Sequence, residues 1–204
     1  MPQAAARRRG HAGRSWTIAD GGVGKSTHAL TEAIAIVTGR PLLGIAPNKI
    51  PTGWDDGSVQ DRYKVLYYNA EESLAEIQRR VLAICQHFGI DPRELDQPYQ
   101  KDPWRNAAQL TIVSGHDFPL VLAAPGEEGG VVFDDRNLES LEGYEDGDVI
   151  ILDPFVSIHQ CPENDNSMID AIVKRLGRVA STSPKAIGQV GKIAKKDKTA
   201  ILVG

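Results

Sequence analysis

The residues best suited to chemistry stand close to the N-terminus, in the run Ala19-Asp20-Gly21-Gly22-Val23-Gly24-Lys25-Ser26-Thr27. It fits the phosphate-loop pattern G-x-x-x-x-G-K-[ST] except at its first glycine, where Ala19 stands. The β- and γ-phosphates of a nucleotide carry dense negative charge. Consecutive backbone N–H groups and a helix N-terminus answer it without side-chain bulk. Lys25 adds a mobile point charge, and the Ser26 hydroxyl suits a ligand of Mg2+. Gly21, Gly22, Val23, Gly24, Lys25, Ser26 and Thr27 are therefore expected to cradle ATP. Ala tolerates positive φ poorly, so Ala19 is expected to lie in the strand that feeds the loop.

Two carboxylates complete the set. Asp148-Val149-Ile150-Ile151-Leu152-Asp153 is an apolar strand ending in an acid. Such an acid at the mouth of a buried strand is a Walker B candidate, which makes Asp153 a second residue for Mg2+. The alternative is that Asp153 caps the turn at Pro154. Tyr67-Tyr68-Asn69-Ala70-Glu71-Glu72-Ser73 runs from a strand into a helix. Early acids also suit a helix N-terminus. Read chemically, Glu71 stands first after the strand and faces the γ-phosphate as a general base that orients water. Glu72 then serves only the helix. In the loop Ser157 to Ser167, His159 is either a nucleotide sensor or one residue of a solvated loop, and the solvated loop is preferred. His11, His28, His87 and His116 show no ligand spacing. Cys85 and Cys161 match no metal or redox spacing and read as reduced thiols.

The elements that must position these groups follow from periodicity. Trp16–Ala19 reads as a strand. Lys25–Thr38 reads as a helix with Ala29, Leu30, Ala33, Ile34 and Val37 on one face, stopped by Gly39 and Pro41. Pro47–Asp61 reads as a loop. Val65–Tyr68 is a buried strand, and Glu71–Phe88 a helix with Glu76 and Arg80 as an i,i+4 pair. Asp91–Ala108 is a long loop or a small irregular helix, and Leu110–Val113 a strand. Pro119–Asp134 is glycine-rich, and Asn137–Glu142 is a turn or two of helix. Val149–Leu152 is a strand. Ser167–Ala180 is a helix that starts on a weak capping box of Ser167 and Asp170. Ser181–Lys198 is basic and ambiguous, and Thr199–Val203 reads as a last strand. Strands alternating with helices predict parallel β-α units.

Whole-chain properties narrow the class. The chain has 204 residues, enough for one sizeable core. A net charge of −4 argues against coating nucleic acid through bulk charge. Lysines 185, 192, 195, 196 and 198 form a local basic run, more often a solvated face. No apolar run reaches the roughly 20 residues that span a bilayer, and the expected location is cytoplasmic. Arginines 7, 8, 9 and 14 give residues 1–14 the flavour of a transit peptide, but a disordered basic stub is preferred. Residues 15–204 are then the ATPase domain.

With these motifs in order, the chain resembles the RepA-like group of RecA-fold ATPases, often described as AAA-family ATPases. The strings that carry the resemblance are GGVGKST, TGRPLLG, VLYYNAEESLAEIQRR and VIILDPFVSIHQCPENDNSMIDAIVKRL. It implies an α/β RecA-like P-loop core, a mostly parallel sheet flanked by helices. It implies MgATP on Lys25 and Ser26, Glu71 as catalytic base and Asp153 as the Walker B acid. It further implies ATP hydrolysis coupled to DNA-directed work, with single-stranded DNA as partner and a homo-oligomeric ring as the full-length form. The family continues past the last strand seen here, so the core is expected to be incomplete at its C-terminal end, with low activity. A non-hydrolysing assembly or regulatory module is the alternative. A small-molecule kinase is a weaker third reading, opposed by the AEES string.

Overall fold

A computed structural model describes residues 14–19, 24–45, 50–51, 59–60, 63–98, 107–127, 129–144, 149–182 and 186–192. In chain order the elements are β1 (Arg14–Ala19), α1 (Lys25–Thr38), β2 (Ile50–Pro51), β3 (Val59–Gln60), β4 (Val65–Asn69) and α2 (Leu74–Phe88). They continue with β5 (Asp96–Pro98), β6 (Ala107–Ser114), β7 (Ala123–Pro125), β8 (Val131–Phe133), α3 (Asp135–Glu142), β9 (Val149–Asp153), α4 (Asn166–Thr182) and β10 (Ala186–Lys192). The main sheet has the order β1-β10-β9-β4-β6-β5. Its pairs are parallel except β5 with β6, which is antiparallel at the edge. The α/β class with a largely parallel sheet is as expected.

Side chains of a strand alternate between faces, and β4 and β9 are buried on both. Val65, Tyr67 and Ile151 join the core under α1 and α2, with Leu30, Ile34, Val37 and Ile77. Leu66, Tyr68, Ile150 and Leu152 join the opposite core, with Leu138 of α3 and Ile172, Leu176 and Val179 of α4. Helix α1 is buried along most of its length, Ala33, Ile34 and Val37 completely. It ends on Gly39 in the left-handed region, as its sequence predicts.

Four boundaries differ from the sequence reading. Strand β1 starts at Arg14, so that residue belongs to the sheet rather than to the stub, the rest of which lies outside the described residues. Helix α2 starts at Leu74 rather than Glu71, because Ser73 is the cap: its side chain accepts from the Glu76 amide. The start of α4 is fixed by Asp165, whose carboxylate accepts from Ser167 N at 3.0 Å and Met168 N at 3.1 Å. Asp170 instead pairs with Lys174 at 2.6 Å. The ambiguous basic stretch supplies the tail of α4 and the strand β10, which inserts between β1 and β9. Thr199–Val203, read as the last strand, lies outside the described residues.

Smaller differences lie in the loops. The Asp91–Ala108 stretch carries a 3-10 turn at Pro92–Leu95 and the strand β5, and the Pro119–Asp134 stretch folds into the β7–β8 hairpin. The Pro47–Asp61 loop contributes only the short β2–β3 pair among its described residues.

Candidate functional site

Parallel strands deliver their C-terminal ends to one side of the sheet, where α/β proteins collect their ligands. Ala19 ends β1 opposite Lys192 of β10, in extended backbone, so the missing first glycine is no obstacle there. Gly21, Gly22 and Val23 lie outside the described residues. Gly24 opens α1 as its N-cap, with φ 86°, a left-handed conformation that glycine adopts without strain. Lys25, Ser26 and Thr27 are the first three residues of the helix. Its early amides, with no partner inside the helix, give that end positive potential for an anion.

Asp153 ends β9 and is 1% exposed. Period-two alternation sends Asn69 and Asp153 to the same face as Tyr67 and Ile151, the face that α1 covers, and the register pairs Asn69 with Asp153. Three consequences follow. The Ser26 hydroxyl comes close enough to the Asp153 carboxylate to favour its charged form, bringing the start of α1 to the end of β9. The Tyr67 hydroxyl donates to Asp153 Oδ2 at 2.5 Å, so Asp153 does not cap the turn at Pro154. Asp153 Oδ1 is buried with no hydrogen-bond partner among the described residues. Burial pushes the Asp153 carboxyl above the usual range; the Tyr67 and Ser26 hydroxyls and the Lys25 charge oppose this, while Glu71 adds to it.

Glu71 and Glu72 occupy the turn between β4 and α2. Asn69 Oδ1 accepts from the amides of both, at 3.0 and 2.8 Å. The Glu71 side chain is exposed toward the loop after β9, where the Ser157 hydroxyl donates to its Oε1 at 2.8 Å. Glu72 turns to α2 and pairs with Arg80 at 2.6 Å. Burial still raises the Glu72 carboxyl above its ordinary range, outweighing Arg80. Glu76 takes Arg79 at 2.6 Å as its nearer partner and meets Arg80 only at 3.4 Å. The two glutamates are thus divided, one toward the strand mouths and one toward the helix.

Residues 8–190 match the family model described as an AAA domain. The chain belongs to that family. The AAA domain is a P-loop ATPase domain, and nucleotide binding follows from membership. Among solved structures similar to this AAA domain is the crystal structure of the RadB recombinase, at 14% identity and a TM-score of 0.47. That match covers 89% of this chain and 61% of the recombinase, so the chain spans less than two thirds of that protein. No curated protein matches.

Within the AAA domain, periodicity and motif reading missed four contributors. Tyr67 and Asn69 donate to the Asp153 carboxylate, Ser157 donates to that of Glu71, and His116 Nε2 lies 3.0 Å from the Glu71 carbonyl. The alternation of β4 was the available signal for Tyr67 and Asn69, since it put them on the face of Val65. His159 belongs to no solvated loop. It is 7% exposed, packs against the Phe155 ring at 4.8 Å, and has neither ring nitrogen in hydrogen-bond geometry among the described residues. Burial holds its imidazole below the usual range. Both cysteines are free and buried. Among the described residues no helix is long and apolar enough to cross a membrane.

Proposed function

We propose that the chain binds MgATP on Gly21–Thr27 and hydrolyses it with Glu71 as the general base. The observation that supports this best is the buried Asp153 Oδ1, an unpaired acceptor next to a carboxylate already reached by the Ser26 hydroxyl. An orphaned carboxylate oxygen beside a phosphate cradle fits a divalent cation. The described residues contain no group of three or more His, Cys, Asp or Glu able to hold a metal. Mg2+ is held in such sites by one or two carboxylates with nucleotide phosphates completing the shell. Ser26 and Asp153 are the residues that would hold it. When bound, Mg2+ neutralises charge on the β- and γ-phosphate oxygens.

The chain's own groups then divide the work. Lys25 places a positive charge on the same phosphates. The first amides of α1 meet the anion without side-chain reorganisation. Glu71, on the turn that follows β4, orients a water and takes its proton. Resemblance to RepA-like ATPases supports coupling to single-stranded DNA in a homo-oligomeric ring. The second reading is a nucleotide-binding module that does not turn over. The Ser157 hydroxyl favours it by occupying one oxygen of Glu71.

Phosphate release, measured with and without single-stranded DNA, separates these readings. Glu71→Gln is expected to lower turnover by about 10²–10⁴-fold while ATP affinity by calorimetry is retained. Glu72→Gln is expected to stay close to the parent. A turnover-sensitive Glu72 with an indifferent Glu71 would sink the assignment, and a parent that binds but never hydrolyses establishes the second reading.

A further inference from the structure

Asn69 is 1% exposed and sits where β4 meets both of its neighbours in register, Asp153 of β9 on one side and Ser114 of β6 on the other. Its carboxamide faces two different demands. Oδ1 accepts from the Glu71 and Glu72 amides at 3.0 and 2.8 Å. Nδ2 donates toward the Tyr67 hydroxyl and Asp153 Oδ2, each at 3.4 Å. The amide orientation is fixed by its partners, because a flipped group would set an NH2 against two backbone N–H donors. A carboxylate of the same shape would keep the first pair of contacts and repel Asp153 in the second. An aliphatic side chain would supply neither.

The turn bearing Glu71 is held from other directions too. Ala70 N donates to the Asp153 carbonyl at 2.7 Å, and Ser114 Oγ donates to the Glu72 carbonyl at 2.8 Å. Among the described residues, only the Asn69 side chain touches both the turn amides and the Asp153 carboxylate. We propose that Asn69 is a positioning residue that sets the Glu71 turn and the Asp153 carboxylate relative to each other through one rigid carboxamide. This rests on the roles given to Glu71 and Asp153 above.

Two arms of one experiment separate it from that reading. The metal arm uses the full chain with a non-hydrolysable ATP analogue and Mn2+, followed by electron paramagnetic resonance. Asn69→Ala is expected to weaken Mn2+ binding by about 10-fold, as loss of an outer-shell partner does, with metal-free analogue affinity unchanged within about 2-fold. The turnover arm measures single-turnover phosphate release. At saturating metal, Asn69→Ala is expected to lower kcat by about 10- to 100-fold with KM for ATP nearly unchanged, because Lys25 and the first amides of α1 still hold the phosphates. With Glu71 already Gln, the same substitution is expected to cost less than about 2-fold more.

Circular dichroism checks the fold. Should the alanine variant fail to fold, Asn69→Asp decides: the turn contacts survive while the contact to Asp153 turns repulsive, so Mn2+ affinity is expected to shift by more than about 3-fold, and parent-like affinity would overturn the inference. Parent-like metal affinity and kcat in Asn69→Ala would overturn the inference, and so would an equal loss with and without Glu71. Full turnover in Glu71→Gln alone would instead remove the general-base reading, and the metal arm then judges Asn69 by itself.

Discussion

Asp153 shows what the site costs the fold. Burial raises its carboxyl above the unfolded value of about 3.9, so the folded chain binds that proton more tightly than the unfolded chain does. Stability therefore falls as pH rises from the ordinary aspartate range through the raised folded value, and stays reduced above it. Asp153→Asn keeps an acceptor for Tyr67 and removes the charge. It is expected to melt higher than the parent at about pH 7, with the difference shrinking as pH drops toward about 4. The same variant should lose the Mg2+ dependence of ATP binding. Thermal scans across that pH range check the first expectation; an equal or lower melting temperature at neutral pH would contradict it. The place of Asp153 at the end of a buried strand was legible in the sequence because an acid closes an apolar run. For Tyr67 and Asn69 the alternation of β4 gave the face but not the partners, which are set by the register of strands far apart in the chain.

The turn between β4 and α2 carries the same lesson for elements. Glu71 and Glu72 looked like the first turn of a helix because early acids favour the macrodipole. The Asn69 carboxamide takes both of their amides and Ser73 takes over as cap, so the helix begins later and Glu71 is released toward the strand mouths. Strand β10 was hidden for a different reason. Its sequence AIGQVGK holds two glycines, which depress strand propensity, and pairing to β1 and β9 on either side overrides that. Gly115 makes the turn testable. A Cβ there would meet Ala70 Cα at 2.7 Å and Ala70 O at 2.8 Å, both backbone atoms of the strand end that leads to Glu71. Gly115→Ala must displace that backbone. It is expected to destabilise by about 1–3 kcal/mol, as overpacking does. A chain of this size melts about 2–4 °C lower per kcal/mol. Turnover should fall more than ATP affinity, because Glu71 moves and α1 does not. A variant with parent-like melting and turnover would show that the β6 turn does not brace Glu71.

At the scale of the molecule, the proposed nucleotide loop leads into the most buried of the described helices. Helix α1 packs Leu30, Ala33, Ile34 and Val37 into the core with Val65 and Tyr67, and its first residues reach Asp153 from β9. Binding at its N-terminus, as proposed, would therefore engage the cooperative core. A ligand that binds only the folded chain stabilises it by mass action, about 2.7 kcal/mol at a concentration 100 times its Kd. For a chain of this length that corresponds to a rise of about 5–11 °C in Tm. MgATP is expected to produce such a rise in the parent. In Lys25→Ala the rise should vanish at the same nucleotide concentration, because the loop loses its lysine while the packed face of α1 is untouched. Without nucleotide Lys25→Ala is expected to melt somewhat lower than the parent, because the buried Asp153 carboxylate loses a charge that favours it. Differential scanning fluorimetry over a nucleotide titration measures all of this. A parent that melts at the same temperature with and without saturating MgATP would separate the loop from nucleotide binding, and an undiminished shift in Lys25→Ala would move the binding site away from α1.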